Sequence, residues 1–201
     1  MDGAAESLAR AIGARVRQER KGRAWTLDQL AATAGLSRRM LVNVEQGTVN
    51  PSVGTLLRLS DALGVGLPAL VEPPAGRTVK RTRRGEGAVL WTGALGGQGV
   101  LVAGTEPPDV VELWDWTLAP GERHESEAHA TGTREVLQVQ EGAMTVTVGD
   151  DSYELGPGDA LTFHGDVVHA YGNPNEAAVR FSLAVFEPGV GAGHRMGTPN
   201  V

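Results

Sequence analysis

Cysteine is absent from the 201 residues, which excludes disulfides and thiolate-held metal sites and suits a reducing cytoplasm. No apolar stretch approaches the length needed to cross a membrane. The first residues, MDGAAESLARAIGARV, lack a basic segment followed by an apolar run, so no secretory leader is expected. A cytoplasmic protein without membrane partners is the expectation, and the length leaves room for two domains or one larger one.

Positive charge is scarce in the second part of the chain. Residues 1–84 carry 14 Lys/Arg against 7 Asp/Glu, whereas residues 85–201 carry 4 against 17. The net charge of −6 thus hides a basic first part that suits a polyanion such as DNA and an acidic second part that DNA would repel. Arg77, Lys80, Arg81, Arg83 and Arg84 read either as a solvated basic linker or as reinforcement of phosphate contacts. The stretch EPPAGRTVKRTRRGEG, residues 72–87, cannot bury an apolar face and reads as linker. The Gly- and Pro-rich segment after Glu187 is expected to be poorly ordered.

What is present is most telling between Thr26 and Asn50, TLDQLAATAGLSRRMLVNVEQGTVN. Leu27, Leu30, Ala31 and Ala34 recur at helical spacing. Gly35 suits a tight turn, and Ser37 is placed to cap a second helix. In that helix Met40, Leu41 and Val44 are expected to face a core, leaving Arg38, Arg39, Val42 and Asn43 outward. Arg and Asn carry the fork geometry that reads guanine and adenine edges in the major groove. The pattern is a helix-turn-helix with its reading helix at Ser37–Glu45. Further helices are expected over Leu8–Lys21, with an apolar stripe of Leu8, Ile12 and Val16, over Ser52–Leu63, and after Pro68. The segments RVRQERKGRAWTLDQLA, GLSRRMLVNVEQGTVNPS and LLRLSDALGV resemble the lambda-repressor-like domain of the XRE family. That resemblance implies a five-helix DNA-binding domain over residues 1–72. It also implies base contacts from Arg38, Arg39 and Asn43 beside the Ser37 cap, and phosphate contacts from Thr26, Thr48 and Asn50.

From Ala88 the period changes from helical to alternating. Val89–Trp91, Val100–Val102, Val110–Leu118, Val136–Val139, Met144–Val148, Ala160–Phe163 and Val179–Phe186 read as strands between Gly, Pro, Asn and Asp turns. Many short strands without helices indicate a sandwich or jelly roll. PGERHESEAHATGTREVLQVQEG and GDALTFHGDVVHAYGN resemble the two histidine-bearing motifs of the cupin family. The chain is therefore expected to be multidomain, an all-α helix-turn-helix domain followed by an all-β cupin barrel. The expected parts are residues 1–72, a linker at 73–87, the cupin at 88–187 and a tail at 188–201.

Carried over residue by residue, the cupin resemblance implies metal ligands at His129, Glu135 and His169. Thr131 stands where the family has another histidine. Two imidazoles and a carboxylate can hold one divalent ion such as iron, manganese, nickel or zinc; the same set can also survive as a polar pocket. Trp114 and Trp116 alternate on one strand and share a face. With Thr131, Phe163 and Tyr171 they are candidates to line a ligand pocket around the three ligand residues. Arg134 and Arg180 are scarce cations that can serve either an anionic ligand or surface carboxylates. Two functional readings remain at this point. In one, the chain regulates transcription: it binds a double-stranded operator as a homodimer, and the cupin domain dimerises and takes up a small-molecule effector. In the other it resembles the mononuclear-iron hydroxypropylphosphonate epoxidases, whose helical domain does not read DNA.

Overall fold

The computed structural model describes residues 2–71 and 79–190. Residues 72–78 of the expected linker and 191–201 of the expected tail lie outside the described residues. Contacts divide the chain into two units, one built on residues up to Lys80 and one on Arg81–Thr105 and Asp109–Pro188.

Hydroxyl caps set where the helices of the first unit begin. α1 is Asp2–Gly22, α2 Leu27–Thr33, α3 Arg38–Gln46, α4 Val53–Leu63 and α5 Gly66–Val71. Thr26 caps α2 in a reciprocal box with Gln29; Ser37 caps α3 through Met40 N and Ser52 caps α4 through Thr55 N. Each cap satisfies a backbone N–H that a helix start leaves without an intrahelical partner. Gly47 and Gly64 end α3 and α4 at φ 66° and 63°, a left-handed turn that costs glycine little. Ile12, Val16, Leu30, Leu41, Val44, Leu56, Leu59, Leu63 and Leu67 fill the core, none more than 1% exposed. Gly13 lets α1 lie directly on α3, since a Cβ there would meet the Val44 carbonyl oxygen at 2.2 Å. Met40 does not join the core as expected and is 40% exposed. Leu41 and Val44, three residues apart, already hold the inward stripe, and Met40 lies about 100° around the helix from Leu41.

The second unit is two antiparallel sheets. The strands are β1 Ala88–Thr92, β2 Gln98–Gly104, β3 Val110–Leu118, β4 Arg123–Ser126, β5 Arg134–Glu141, β6 Met144–Val148, β7 Asp151–Leu155, β8 Ala160–His164, β9 His169–Gly172 and β10 Val179–Glu187. Six strands run in the order β1-β2-β3-β10-β5-β8, and four in the order β4-β9-β6-β7. Their inner faces meet through rings, with Trp116 and Phe181 of the first sheet 5.9 and 5.4 Å from Tyr171 of the second. β4, β7 and β9 are not among the expected strands. β7 buries only Leu155, and β9 buries all four of its residues, so neither shows the alternation that marks a half-buried strand.

Glu122 fastens one end of the barrel. Its carboxylate accepts from the backbone N–H of Leu95, Gly97 and Ala119 at 2.8–2.9 Å, although the side chain is buried. Charge-assisted bonds of this kind are stronger than neutral ones and offset the cost of burying the charge. Gly93 and Gly97 make room for it, since a Cβ at either would strike the carboxylate.

Candidate functional site

Helix α3 is anchored from behind. On α1, Arg20 grips Glu45 of α3 with Nε to Oε1 at 2.5 Å and Nη2 to Oε2 at 2.7 Å, and its Nη1 donates to the Trp25 carbonyl at 2.9 Å. Both side chains are nearly buried, at 11% and 7% exposure. Glu45 holds the Arg20 guanidinium above its ordinary pKa against the opposing effect of burial. The opposite face of α3 is open. Arg38 and Arg39 are exposed and Asn43 half-buried. Arg38 Nε contacts Asp28 Oδ1 at 3.1 Å, both in solvent, while Arg39 has no ion-pair partner among the described residues. Thr26, Ser37, Thr48 and Asn50 are all exposed. The Thr26 and Ser37 hydroxyls are engaged as caps at helix starts, where backbone N–H groups favour anions. The Thr48 hydroxyl donates to the Asn43 carbonyl and extends the end of α3.

In the barrel, three residues far apart in sequence converge. His129 sits in the loop after β4, Glu135 on β5 and His169 at the start of β9, and one ligand atom from each lies within 4.8 Å of the others. The Nε2 atoms of His129 and His169 approach Glu135 Oε1 at 3.0 and 3.2 Å. Neither Glu135 Oε1 nor His169 Nε2, however, has a partner in hydrogen-bond geometry. Nδ1 of His169 lies 2.7 Å from the Val167 carbonyl. A carbonyl only accepts, so Nδ1 carries the proton and neutral His169 turns a lone pair toward Glu135. A backbone carbonyl that takes one ring N–H and leaves the other imidazole nitrogen free to ligate is how proteins orient a metal-ligating histidine. The donor set therefore fits a divalent ion.

The carboxylate and the two imidazoles shift one another's charges. Burial works to raise the Glu135 pKa, but the imidazoles of His129 and His169 beside it outweigh this and hold the carboxyl at about 2. Burial works to lower the His169 pKa, but the adjacent Glu135 carboxylate outweighs this and raises it. Tyr171, fully enclosed, donates its hydroxyl to Glu135 Oε2. Burial, and then the Glu135 charge, push the phenol well above its ordinary value.

The structure brings Trp114, Trp116, Phe163 and Tyr171 to this interior. Trp114 and Trp116 stack at 5.8 Å, and Phe163 packs edge-on to His169 at 5.2 Å. Thr131 does not join them. It is exposed, and the buried threonine is Thr133, whose Oγ1 has no partner. Thr133 lies two residues before Glu135, so the strand period alone puts it on the same face. The same interval before Trp114 finds Glu112, which is 1% exposed. His124, whose direction the sequence leaves open, packs against Trp116 at 4.8 Å and stacks on Tyr171 at 6.2 Å. Burial, then the neighbouring His169, lower its pKa to about 4. His164 is exposed beside Asp166. Arg180 pairs with Asp115 at 2.9 Å through two bonds on the outer face, and Arg134 is exposed, so neither serves an anionic ligand inside.

A helix-turn-helix unit followed by a two-sheet barrel with a histidine–carboxylate centre defines a DNA-binding domain joined to a cupin. The helix-turn-helix family model matches residues 16–70 and the cupin domain model residues 114–186. The chain is 28% identical over 183 residues to the HTH-type transcriptional regulator SutR of Escherichia coli K12, covering 91% of this chain and 98% of that protein. It is 22% identical over 178 residues to PuuR, another HTH-type transcriptional regulator of that organism, covering 87% and 94%. A solved HTH_3 family transcriptional regulator from Vibrio cholerae shares the fold, with a TM-score of 0.69, 23% identity and coverage of 92% and 99%. The chain belongs to the HTH-type, XRE-family transcriptional regulators with a C-terminal cupin domain. These full-length relatives are transcriptional regulators, which supports a DNA-binding regulator over the epoxidase reading. No described helix is long and apolar enough to cross a membrane.

Proposed function

We propose that the chain acts in the cytoplasm as a homodimer that reads a two-fold operator, and that a small molecule seated in the barrel shifts its affinity for that DNA. The observation that carries the effector reading is a set of buried polar atoms without partners. Glu112 Oε1, Trp116 Nε1, Thr133 Oγ1, Glu135 Oε1 and His169 Nε2 belong to one barrel whose interior is walled by aromatic rings. Each such atom costs about 1–3 kcal/mol unless something meets it, and a wall of rings with a few convergent polar groups is what a small ligand requires. Arg38, Arg39 and Asn43 are assigned to base edges, with the exposed Met40 beside them available to a thymine methyl. Thr26, Ser37, Thr48 and Asn50 are assigned to phosphates.

His129, Glu135 and His169 would hold one divalent metal, which supplies a Lewis-acidic anchor for an effector's oxygen or nitrogen. Dialysed against zinc or nickel, the protein is expected to retain one ion per chain by mass spectrometry. His169→Ala is expected to lose that ion while still melting cooperatively. Equal retention in both proteins would place the metal elsewhere, and none in either would remove it.

Reading of half-sites about 34 Å apart requires a second copy. The outer face of the six-stranded sheet offers an apolar surface for it. Val111, Leu113, Val136 and Phe186 are exposed there, with Phe186 paired to Val111 and Ala184 to both Leu113 and Val136. Phe186→Arg is expected to give a monomer by light scattering, with operator affinity falling alongside. A dimer of unchanged stability would show that the copies meet elsewhere.

A further inference from the structure

Resting on the metal reading above, we propose that Tyr171 is the positioning residue of that centre. By holding Oε2 of Glu135 it turns Oε1 alone to the ion and keeps the remaining coordination positions free for a ligand. The two oxygens of this buried carboxylate have separate surroundings. Oε2 accepts the Tyr171 hydroxyl. Oε1 faces the Nε2 atoms of His129 and His169 at 3.0 and 3.2 Å and has no partner in hydrogen-bond geometry. A bond from a hydroxyl to an ionised carboxylate is charge-assisted and among the stronger ones available to it. It therefore opposes the rotation about the last side-chain bond that would bring Oε2 round to the ion.

The hydroxyl is preset by the fold. Glu135 lies on β5 of the six-stranded sheet, and Tyr171 reaches it from β9 of the other sheet, where it pairs with His124 of β4 and Val146 of β6. Rings hold the phenol on several sides. His124 lies parallel to it at 6.2 Å and His169 edge-on at 5.6 Å, while Phe181 and Trp116 are tilted against it at 5.4 and 5.9 Å. A side chain buried and packed in this way stays in one rotamer, which is what orients a ligand before the ion arrives. His169 and Tyr171 are two residues apart on β9, so one strand delivers a ligand and the group that orients another. Two imidazoles and one oxygen leave positions on a divalent ion for an effector atom. A carboxylate that closed on the ion with both oxygens would take one of them.

The test uses the full-length protein loaded with cobalt(II), whose visible bands weaken as its coordination number rises. Tyr171→Phe keeps the ring and removes only the hydroxyl. It is expected to bind cobalt about 10-fold or more weakly, the usual effect of removing a group that orients a ligand. Its visible bands are expected to weaken as Oε2 joins the ion. A second measurement needs no variant. In the infrared difference spectrum on cobalt binding to the unaltered protein, one-oxygen ligation separates the two carboxylate stretches, whereas two-oxygen ligation draws them together; a wide separation is expected. A cobalt spectrum unchanged in Tyr171→Phe, whatever its melting temperature, would mean that the hydroxyl serves packing only and would overturn the proposal. So would a narrow infrared separation, or an intense iron(III)–phenolate band showing that Tyr171 itself ligates. If cobalt binds the unaltered protein and is lost in His169→Ala, those outcomes leave the metal reading standing. No cobalt in the unaltered protein, or equal binding in His169→Ala, would remove that reading and this proposal with it.

Discussion

Arg20→Ala is expected to destabilise the helical unit by about 3–5 kcal/mol, the usual cost of removing one member of a buried ion pair. The size follows from what is left behind. Glu45 accepts two bonds from Arg20 and is 7% exposed, so its charge would remain enclosed without a counter-ion. The Trp25 carbonyl would lose a donor as well. Because a whole domain is held by only about 5–15 kcal/mol, such a loss removes a large share of the margin. The pair also fixes α3 to α1, so DNA affinity is expected to fall together with helicity. Urea unfolding followed by circular dichroism at the helix wavelength reads the first effect. Replacing both partners with apolar residues, Arg20→Met with Glu45→Leu, is expected to cost less than either single change, because no charge is stranded. A single substitution that costs less than about 1 kcal/mol, the range of exposed pairs, would show that water reaches the pair.

The second large effect concerns reading of sequence. Arg39→Ala and Asn43→Ala are each expected to lower operator affinity by about 1–3 kcal/mol, roughly 5- to 150-fold, while binding to random DNA changes much less. Arg39 is exposed at the start of α3 without an ion-pair partner among the described residues, and Asn43 lies one turn further along the same helix. Arg38 differs, because Asp28 competes for its guanidinium at 3.1 Å. A uniform loss on operator and random DNA, with the salt slope reduced by about one, would mean that the altered residue touches phosphate only.

The parts legible in the sequence are those with a local period or a fixed motif spacing. Ser37 and Ser52 are readable as caps, and alternation along Val110–Leu118 places Trp114 and Trp116 on one face. The spacing of the cupin motifs is enough to gather His129, Glu135 and His169 into one site. Pairings across long separations are not legible. Arg20 and Glu45 are 25 residues apart, and neither periodicity nor capping gives one a reason to meet the other. Glu122 reads as one more turn residue because its three partners are backbone N–H groups, which are the same at every position. Glu112 is within reach, since it shares the face of Trp114 and Trp116, but a carboxylate in an apolar row carries no motif. Motif alignment points to Thr131, whereas the strand period selects Thr133. Met40 reads as core because it is apolar, although a short helix packed on one side has room for few inward positions.

The central claim, that this chain reads a particular DNA sequence, is tested most directly by fluorescence anisotropy across a salt series. DNA from upstream of its own coding region is compared with a scrambled duplex. A preference of about a thousandfold or more for the upstream DNA, persisting at physiological salt, is the expected result. Weak binding that is equal on both duplexes and gone by physiological salt would contradict it.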